Sequence, residues 1–393
     1  MKWLKDRDIA IVGFADLPLV RKSGRSAADI AGEVVGKLLA DAKLERREID
    51  GFATTLAMSE AANPFWSNLL AEHLGLAPRW CQATDLGGAS NIGNIARAAA
   101  AIRAGMCETV ICMGADGVSS HDATNQTGHR TEFCTPVGYS GPPIAFGLLS
   151  SAYHARYGNP DMALAKLAVA QRAGAVVNDI ACDIFRKPLT EDDYLNSRFV
   201  AHPLRLLDSV MRCDGGYAVL VTTTERAREL GYSKLVHPLA YREMVNFDPE
   251  QSIEDITVSG FSVVGPEALS DAGMRPADIE MLAPYDDFLI AVLLQLEQIG
   301  FCKPGQASAF IAERSIDFRG DLPINPGGGQ VSCGQPGLAG GGVNLIEALK
   351  QLFGEAGVRQ KAGVSRVMAT GIGVIPYARN WSSSNVMILE RSA

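Results

Sequence analysis

Asn325-Pro-Gly-Gly-Gly-Gln-Val-Ser-Cys-Gly-Gln-Pro-Gly-Leu-Ala-Gly-Gly341 is a glycine-dense turn that runs directly into a predicted helix over 340–354, which is followed by the buried strand Val367-Met-Ala-Thr-Gly371. Glycine at such density serves tight turns and close backbone approach. The run 337–342 is not a nucleotide loop: it lacks the lysine of G-x-x-x-x-G-K-[ST], and no acidic ribose partner follows a strand at Rossmann spacing. Its physical role is to bring the backbone close ahead of a helix whose N-terminus faces a pocket. Partial positive charge there favours a developing oxyanion.

The same unit occurs earlier in the chain. The alanine-rich stretch 90–105 reads as a helix closed by Gly105, and Thr109-Val-Ile-Cys-Met-Gly114 follows as a strand apolar on both faces. A second echo pairs Gly265-Pro-Glu-Ala-Leu-Ser-Asp-Ala-Gly273, Ala277-Asp-Ile-Glu280 and a strand over 281–285 with 36–42, Arg47-Glu-Ile-Asp50 and the strand over 49–55. Two echoes in the same order predict an internal duplication of layered α/β halves. Strand 8–14, a helix over 26–42 and a helix over 63–74 stopped by Gly75 complete the first half. Residues 118–200, dense in Gly, Pro, Asn and His, read as an insertion of irregular periodicity covering the site. The expected organisation is an N-terminal half over 1–117, a cover over 118–200, the end of the first half over 201–232, and a C-terminal half over 233–393.

At 393 residues the chain exceeds the usual size of a single core, and 47% hydrophobic with 20% charged residues is globular composition. A net charge of −8 without a basic run excludes nucleic-acid binding. No apolar stretch approaches the roughly 20 residues of a membrane span. At the N-terminus Asp6 and Asp8 follow Lys2 and Lys5, and the apolar run 9–14 is too short for a leader core. The eight cysteines form no CxxC pair and no metal-ligand spacing with histidine. Reduced thiols, a cytoplasmic location and no metal site are therefore expected.

Three ordered motifs carry a resemblance that spans essentially the whole chain. They are the quoted run 325–341, Pro284-Tyr-Asp-Asp-Phe288 followed by Gly300-Phe-Cys-Lys-Pro-Gly305, and Leu207-Asp-Ser with Cys213-Asp-Gly-Gly216. Together they resemble the thiolase superfamily, in the branch similar to sterol-carrier-protein thiolases. There the corresponding elements are N-x-x-G-G with G-H-P, H-D-x-F or N-E-x-F, and S-D-G-A. The resemblance implies a duplicated five-layered αβαβα fold with an inserted loop domain.

Thiolase chemistry needs a thiolate to take the acyl group and bases to move protons. Carried over by position, the reactive cysteine is Gly88 in Thr84-Asp-Leu-Gly-Gly-Ala-Ser90, and the histidine of H-D-x-F is Tyr285. The histidine of G-H-P is Gln335, and the second cysteine is Gly371. The histidines are residues 73, 121, 129, 154, 202 and 237, so none falls in the region where both family histidines belong. Tyr285 is the main catalytic candidate, since a phenol donates a proton and, with a lowered pKa, accepts one. Asp286 either orients Tyr285 or caps the next helix. Gln335 is either an oxyanion donor, with backbone amides around Gly88 and Gly371, or a space-filling replacement. Asn325, Asp85 and His154 complete the substrate-binding candidates; Asp85 either faces the pocket or forms a turn, and His154 lies on a helix. Cys333 is the one thiol near the signature, at a place where the family has no acyl site.

Without the thiol, the resemblance implies a retro-aldol cleavage of a β-hydroxyacyl-CoA, which needs no covalent intermediate. Tyr285 then acts as acid and base, and coenzyme A is part of the substrate rather than a cofactor. Similar cysteine-free, tyrosine-bearing chains are thiolase-like aldolases of steroid side-chain breakdown. The resemblance implies a homodimer and a small OB-fold partner protein. One departure from those aldolases is Gln335, where they carry a second tyrosine. Two alternatives stand beside this reading: a non-catalytic scaffold or acyl-CoA-binding subunit, and an acyltransferase with a non-standard nucleophile.

Overall fold

In the computed structural model, residues 1–121, 129–139, 141–247, 254–375 and 380–392 are described. The chain opens with β1 (Ile9–Asp16), α1 (Ala27–Ala42), β2 (Gly51–Thr55), α2 (Trp66–His73), β3 (Trp80–Thr84), α3 (Ser90–Arg103) and β4 (Thr109–Asp116). The cover region follows as α4 (His129–Cys134), α5 (Gly141–Tyr157), α6 (Asp161–Val176), α7 (Glu191–Leu195) and the short pair β5 (Phe199–Ala201) and β6 (Leu204–Arg205). Then come β7 (Gly215–Thr223), α8 (Thr224–Glu229), β8 (Val236–Val245), α9 (Phe261–Ala272), β9 (Met281–Ala283), α10 (Leu289–Ile299) and α11 (Ala307–Ala312). The chain closes with α12 (Gly329–Cys333), α13 (Gly341–Phe353), β10 (Arg366–Gly373) and β11 (Ser383–Arg391).

The main sheet runs β3-β2-β4-β7-β1-β8-β11-β10-β9. Its halves meet through one residue pair, Ile11 with Val236. On either side of that joint the order is mirrored: β1-β7-β4-β2 in the first half corresponds to β8-β11-β10-β9 in the second. The linking elements match as well. α1, a 3-10 turn over Arg46–Glu48 and β2 correspond to α9, a 3-10 turn over Pro276–Asp278 and β9. α3–β4 corresponds to α13–β10 in the same way. The duplication read from the two echoes is present in the fold.

Helices α3 and α13 lie in the middle layer. Ile92, Ile95, Ala99, Leu345, Leu349 and Leu352 share one core with Val110, Val219 and Val221 of the first sheet and with Val367, Ala369 and Met387 of the second. α1 and α2 cover the outer face of the first sheet through Val34, Leu38, Trp66 and Leu70. α9 and α10 cover the outer face of the second, in a core that also takes in α5 and α6. The result is the helix–sheet–helix–sheet–helix layering expected. Charge ties the halves together too: Lys350 on α13 pairs with Asp16 on β1 at 2.6 Å, both largely shielded from solvent.

The cover region corrects the expectation of irregular structure over 118–200, because α5 and α6 are among the longest helices described. Their period was masked by burial on several sides. α6 buries Leu164, Ala165, Leu167, Ala168, Gln171, Arg172 and Ala175, which spreads apolar and small residues around the helix instead of along one stripe. Among the described residues no helix is long and apolar enough to cross a membrane.

Close packing of the middle layer rests on glycine at one point in particular. A Cβ on Gly342 would lie 1.9 Å from the Tyr217 ring, itself buried in β7. Gly342→Ala is expected to destabilise the protein by roughly 1–3 kcal/mol through overpacking. Urea denaturation checks this, and an unchanged midpoint would contradict the tight α13–β7 contact.

Candidate active site

Three segments converge where the central helices begin. The 3-10 turn Gly87–Ala89 leads into α3, and the 3-10 turn Gly337–Ala339 leads into α13. Asn91 holds the two turns together, its Nδ2 donating to the Gly88 carbonyl at 2.6 Å and to the Leu338 carbonyl at 3.0 Å. The third segment leaves β9 as Pro284-Tyr-Asp-Asp-Phe288, entirely buried. Two helix N-termini thus open towards one buried phenol.

The backbone of Tyr285 is clamped on both sides. Its N–H donates to Thr370 Oγ1 at 2.8 Å, and its carbonyl accepts from Gln295 Nε2 at 2.8 Å. Asn325, held at φ +48°, donates from Nδ2 to the Pro284 carbonyl at 2.9 Å, and Asn344 donates to the same carbonyl at 2.6 Å. Asn325 therefore positions the Tyr285 segment.

The phenol occupies the place of the missing nucleophile. A Cβ built on Gly88 would lie 2.1 Å from Tyr285 Oη and 2.3 Å from Cζ. No side chain fits at residue 88 while Tyr285 stands where it does, so the glycine and the tyrosine are one replacement. Gly371 is closed in the same manner, since its Cβ would meet Asn385 Oδ1 at 2.3 Å and Ala89 Cα at 2.7 Å. Cys333 is buried and donates from its thiol to the Gly327 carbonyl at 3.0 Å; burial pushes that thiol well up, which leaves it protonated. Gln335 Nε2 lies 3.5 Å from Tyr285 Oη and donates to Gln330 Oε1 at 3.2 Å.

Burial raises the Tyr285 phenol well above its ordinary value, with the charges of Asp287 and then Asp286 pushing the same way; the Gln335 and Gln330 amides oppose the shift. The phenol is accordingly a proton donor at rest. Asp286 neither orients Tyr285 nor caps α10. It accepts from the Gln330 N–H at 3.0 Å and from Asn344 Nδ2 at 2.9 Å, which places it at the start of α12. Asp287 is also buried, and its Oδ1 has no hydrogen-bond partner among the described residues. Desolvation raises both carboxyls, and the Asp286 charge adds to the shift of Asp287.

Tyr285, Gln335, Gly88, Gly371, Asp286 and Asn325 are thus brought together, whereas Asp85 and His154 stand apart. Asp85 is exposed, because the chain turns over the end of β3 before Gly87 redirects it inward at φ +56°. His154 is on α5 as expected and half-buried, and its charged neighbours are Asp161 and His202. Sequence reasoning missed Asp287 and Gln330. Asp287 carried a signal, an acid at the open position of the H-D-x-F pattern; Gln330 carried none, lying within the glycine-rich run. Among the described residues no group of three His, Cys, Asp or Glu is arranged to hold a metal, and all eight cysteines are free thiols.

Fold and site define a thiolase-like protein with a phenol in the nucleophile position. The family model for a thiolase C-terminal domain matches residues 247–391. A steroid side-chain-cleaving aldolase of Thermomonospora curvata is 30% identical, covering 93% of this chain and 95% of its own. A 17-hydroxy-3-oxo-4-pregnene-20-carboxyl-CoA lyase of Mycobacterium tuberculosis is 31% identical, with 93% and 96% covered. The solved structure of the Ltp2-ChsH2(DUF35) aldolase superposes with a TM-score of 0.84 at 29% identity over 98% of each chain. The chain belongs to the thiolase superfamily, in the sterol-carrier-protein-thiolase-like branch that has lost the catalytic cysteine.

Folding lifts the Asp286 and Asp287 carboxyls above their unfolded value of about 3.9. Their contribution to stability is therefore complete below that pH and is lost as the pH climbs through the folded values. Asp287→Asn removes part of that loss. Its melting temperature is expected to gain on the wild type between about pH 5 and about pH 8.5. Parallel melting curves at the two pH values would be the contrary result.

Proposed function

We propose that this protein cleaves a β-hydroxyacyl-CoA thioester by a retro-aldol reaction, as a carbon–carbon lyase. The observation that carries the reading is the Tyr285 phenol seated in the space a cysteine at residue 88 would need. A site so built has no room for an acyl-enzyme, which disfavours acyl transfer, but it keeps donors for a thioester oxygen. Tyr285 donates to the enolate that develops when the carbon–carbon bond breaks, and it supplies the proton to the α-carbon. Gln335 adds a second donor from Nε2. The N-termini of α3 and α13 favour the same negative charge. The names of the two relatives, an aldolase and a CoA lyase, support this class of reaction. Coenzyme A enters as part of the substrate, and the reaction needs no other cofactor.

The working unit on this reading is a homodimer with a small partner protein of OB fold. Support for a second component is the Ltp2-ChsH2(DUF35) aldolase, whose name joins two proteins. Support for the dimer is β3, which ends the sheet order and leaves Trp80, Cys81, Gln82 and Ala83 half-buried along an edge free to pair with a second copy.

Tyr285→Phe is expected to lower thioester cleavage by roughly 10²–10⁴-fold, the usual range for removing one acid–base group. The fold, followed by circular dichroism, should be unchanged because the clamps on Tyr285 act on its backbone. Cleavage indifferent to the hydroxyl would sink the lyase reading and favour the scaffold.

A further inference from the structure

A donor helps an oxyanion only when its N–H, and not its carbonyl, is turned towards it. On the retro-aldol reading Gln335 is a side-chain donor beside Tyr285, and its backbone is fixed: the N–H donates to the Met211 carbonyl at 2.9 Å, and the carbonyl accepts from the Cys213 N–H at 2.9 Å. The side-chain amide is less constrained, because half a turn about its last bond exchanges Nε2 for Oε1 with almost no change of shape. Tyr285 does not choose between the two ends, since a hydroxyl both donates and accepts. Among the described residues the half-buried Gln335 amide has one other side-chain partner, Gln330.

Gln330 is wholly buried on α12 and held from both ends of its peptide unit. Its N–H donates to Asp286 at 3.0 Å, and its carbonyl accepts from the Gly334 N–H at 2.9 Å. The side-chain Oε1 accepts from Gln335 Nε2 at 3.2 Å. A Cβ on Gly340, the residue ahead of α13, would lie 2.2 Å from Gln330 Oε1 and 2.7 Å from Gln335 Cγ. Both side chains therefore use the room that Gly340 leaves at the start of α13. The partial positive charge of a helix N-terminus favours a carbonyl oxygen there over an NH2 group, which sets the Gln330 amide. A carbonyl oxygen only accepts, so Gln335 must answer with Nε2. That nitrogen keeps a second hydrogen for the side of Tyr285, whose Oη stands 3.5 Å away. Such a separation is long for a hydrogen bond between the two groups, but it lets two donors converge on one oxygen.

We propose that Gln330 is a positioning residue for the oxyanion hole: its Oε1, set at the start of α13, holds the Gln335 amide with the N–H facing the space beside Tyr285 Oη. This inference rests on the retro-aldol reading and deepens it. Gln330 acts through Gln335 and donates nothing to the substrate itself. When the carbon–carbon bond breaks, negative charge gathers on the thioester oxygen, and Tyr285 and Gln335 both donate to it. Without the Gln330 acceptor the Gln335 amide turns freely, and for part of the time it sets its own carbonyl oxygen against the growing charge.

The test is a double-mutant cycle on the full chain together with its partner subunit. The probe is 17-hydroxy-3-oxo-4-pregnene-20-carboxyl-CoA, the β-hydroxyacyl thioester named for the Mycobacterium tuberculosis relative. Its analogue without the hydroxyl serves as a binding control. Gln335→Met removes the donor and should lower kcat roughly 10²–10³-fold. Gln330→Met keeps the length of the side chain but has no carbonyl oxygen; it should lower kcat roughly 10–10²-fold, with KM and the Kd of the analogue within about threefold of wild type. In the Gln335→Met background the same change should cost less than about threefold more, because the group it positions is already gone. A merely structural role would repeat its full cost there. If Gln330→Met cleaves within about twofold of wild type, or its loss adds in full to that of Gln335→Met, Gln330 does not act through Gln335 and the aldolase reading stands. If the wild type binds both thioesters and cleaves neither, the aldolase reading itself falls, and this inference with it. Should the Gln330 variant not fold, neutron diffraction from deuterated wild-type crystals reads the orientation directly. Deuterons of Gln335 Nε2 directed at Gln330 Oε1 and towards Tyr285 are expected, and a Gln335 Oε1 facing Tyr285 overturns the proposal.

Discussion

Two atoms cannot share one place, and the contact between Tyr285 and Gly88 sets the terms for the rest of the site. The phenol stands 2.1 Å from where a Cβ at residue 88 would be. A tyrosine after β9 and a side chain ahead of α3 therefore exclude one another. The same contact explains why a chain with the layered fold of an acyl-transferring family carries no nucleophile at that turn. It also fixes what remains possible, namely donation of a hydrogen bond and a proton from an oxygen that burial keeps protonated.

Holding a phenol at that point requires support on every side, and most of the polar groups around it provide that support. Thr370 and Gln295 fix the Tyr285 backbone, Asn325 and Asn344 share the Pro284 carbonyl, and Asp286 binds the start of α12. The duplicated architecture brings these groups together from distant parts of the chain, because it sets the first turns of α3 and α13 against each other through Asn91. Several groups are left with unmet hydrogen-bonding capacity, including Asp287 Oδ1 and Gln330 Nε2.

Much of the fold was legible because its signals are local. The alanine-rich α3, the glycine stop after α13 and the apolar β4 each declare themselves within a few residues, and their repetition in order discloses the duplication. The cover region was not legible. α6 is surrounded on several sides, so its sequence carries no single apolar stripe, and its 16 residues read as irregular. Asp286 was misplaced for a related reason. A cap is expected from the nearest following helix, but this carboxylate serves α12, whose N–H groups come from more than forty residues further along.

By itself the sequence determined the layered α/β class, the internal repeat and the absence of a thiol from the nucleophile position, along with the tyrosine that replaces a histidine. These follow from residue identity and local period, which need no knowledge of what lies across the core. Only the tertiary structure decided that the tyrosine fills the thiol's own space, that Asp85 and His154 stand outside the cluster, and that Asp287 keeps a buried oxygen without a hydrogen-bond partner among the described residues. Steric exclusion and hydrogen-bond satisfaction are relations between segments far apart in the chain. They acquire definite values only when the two halves are folded against each other.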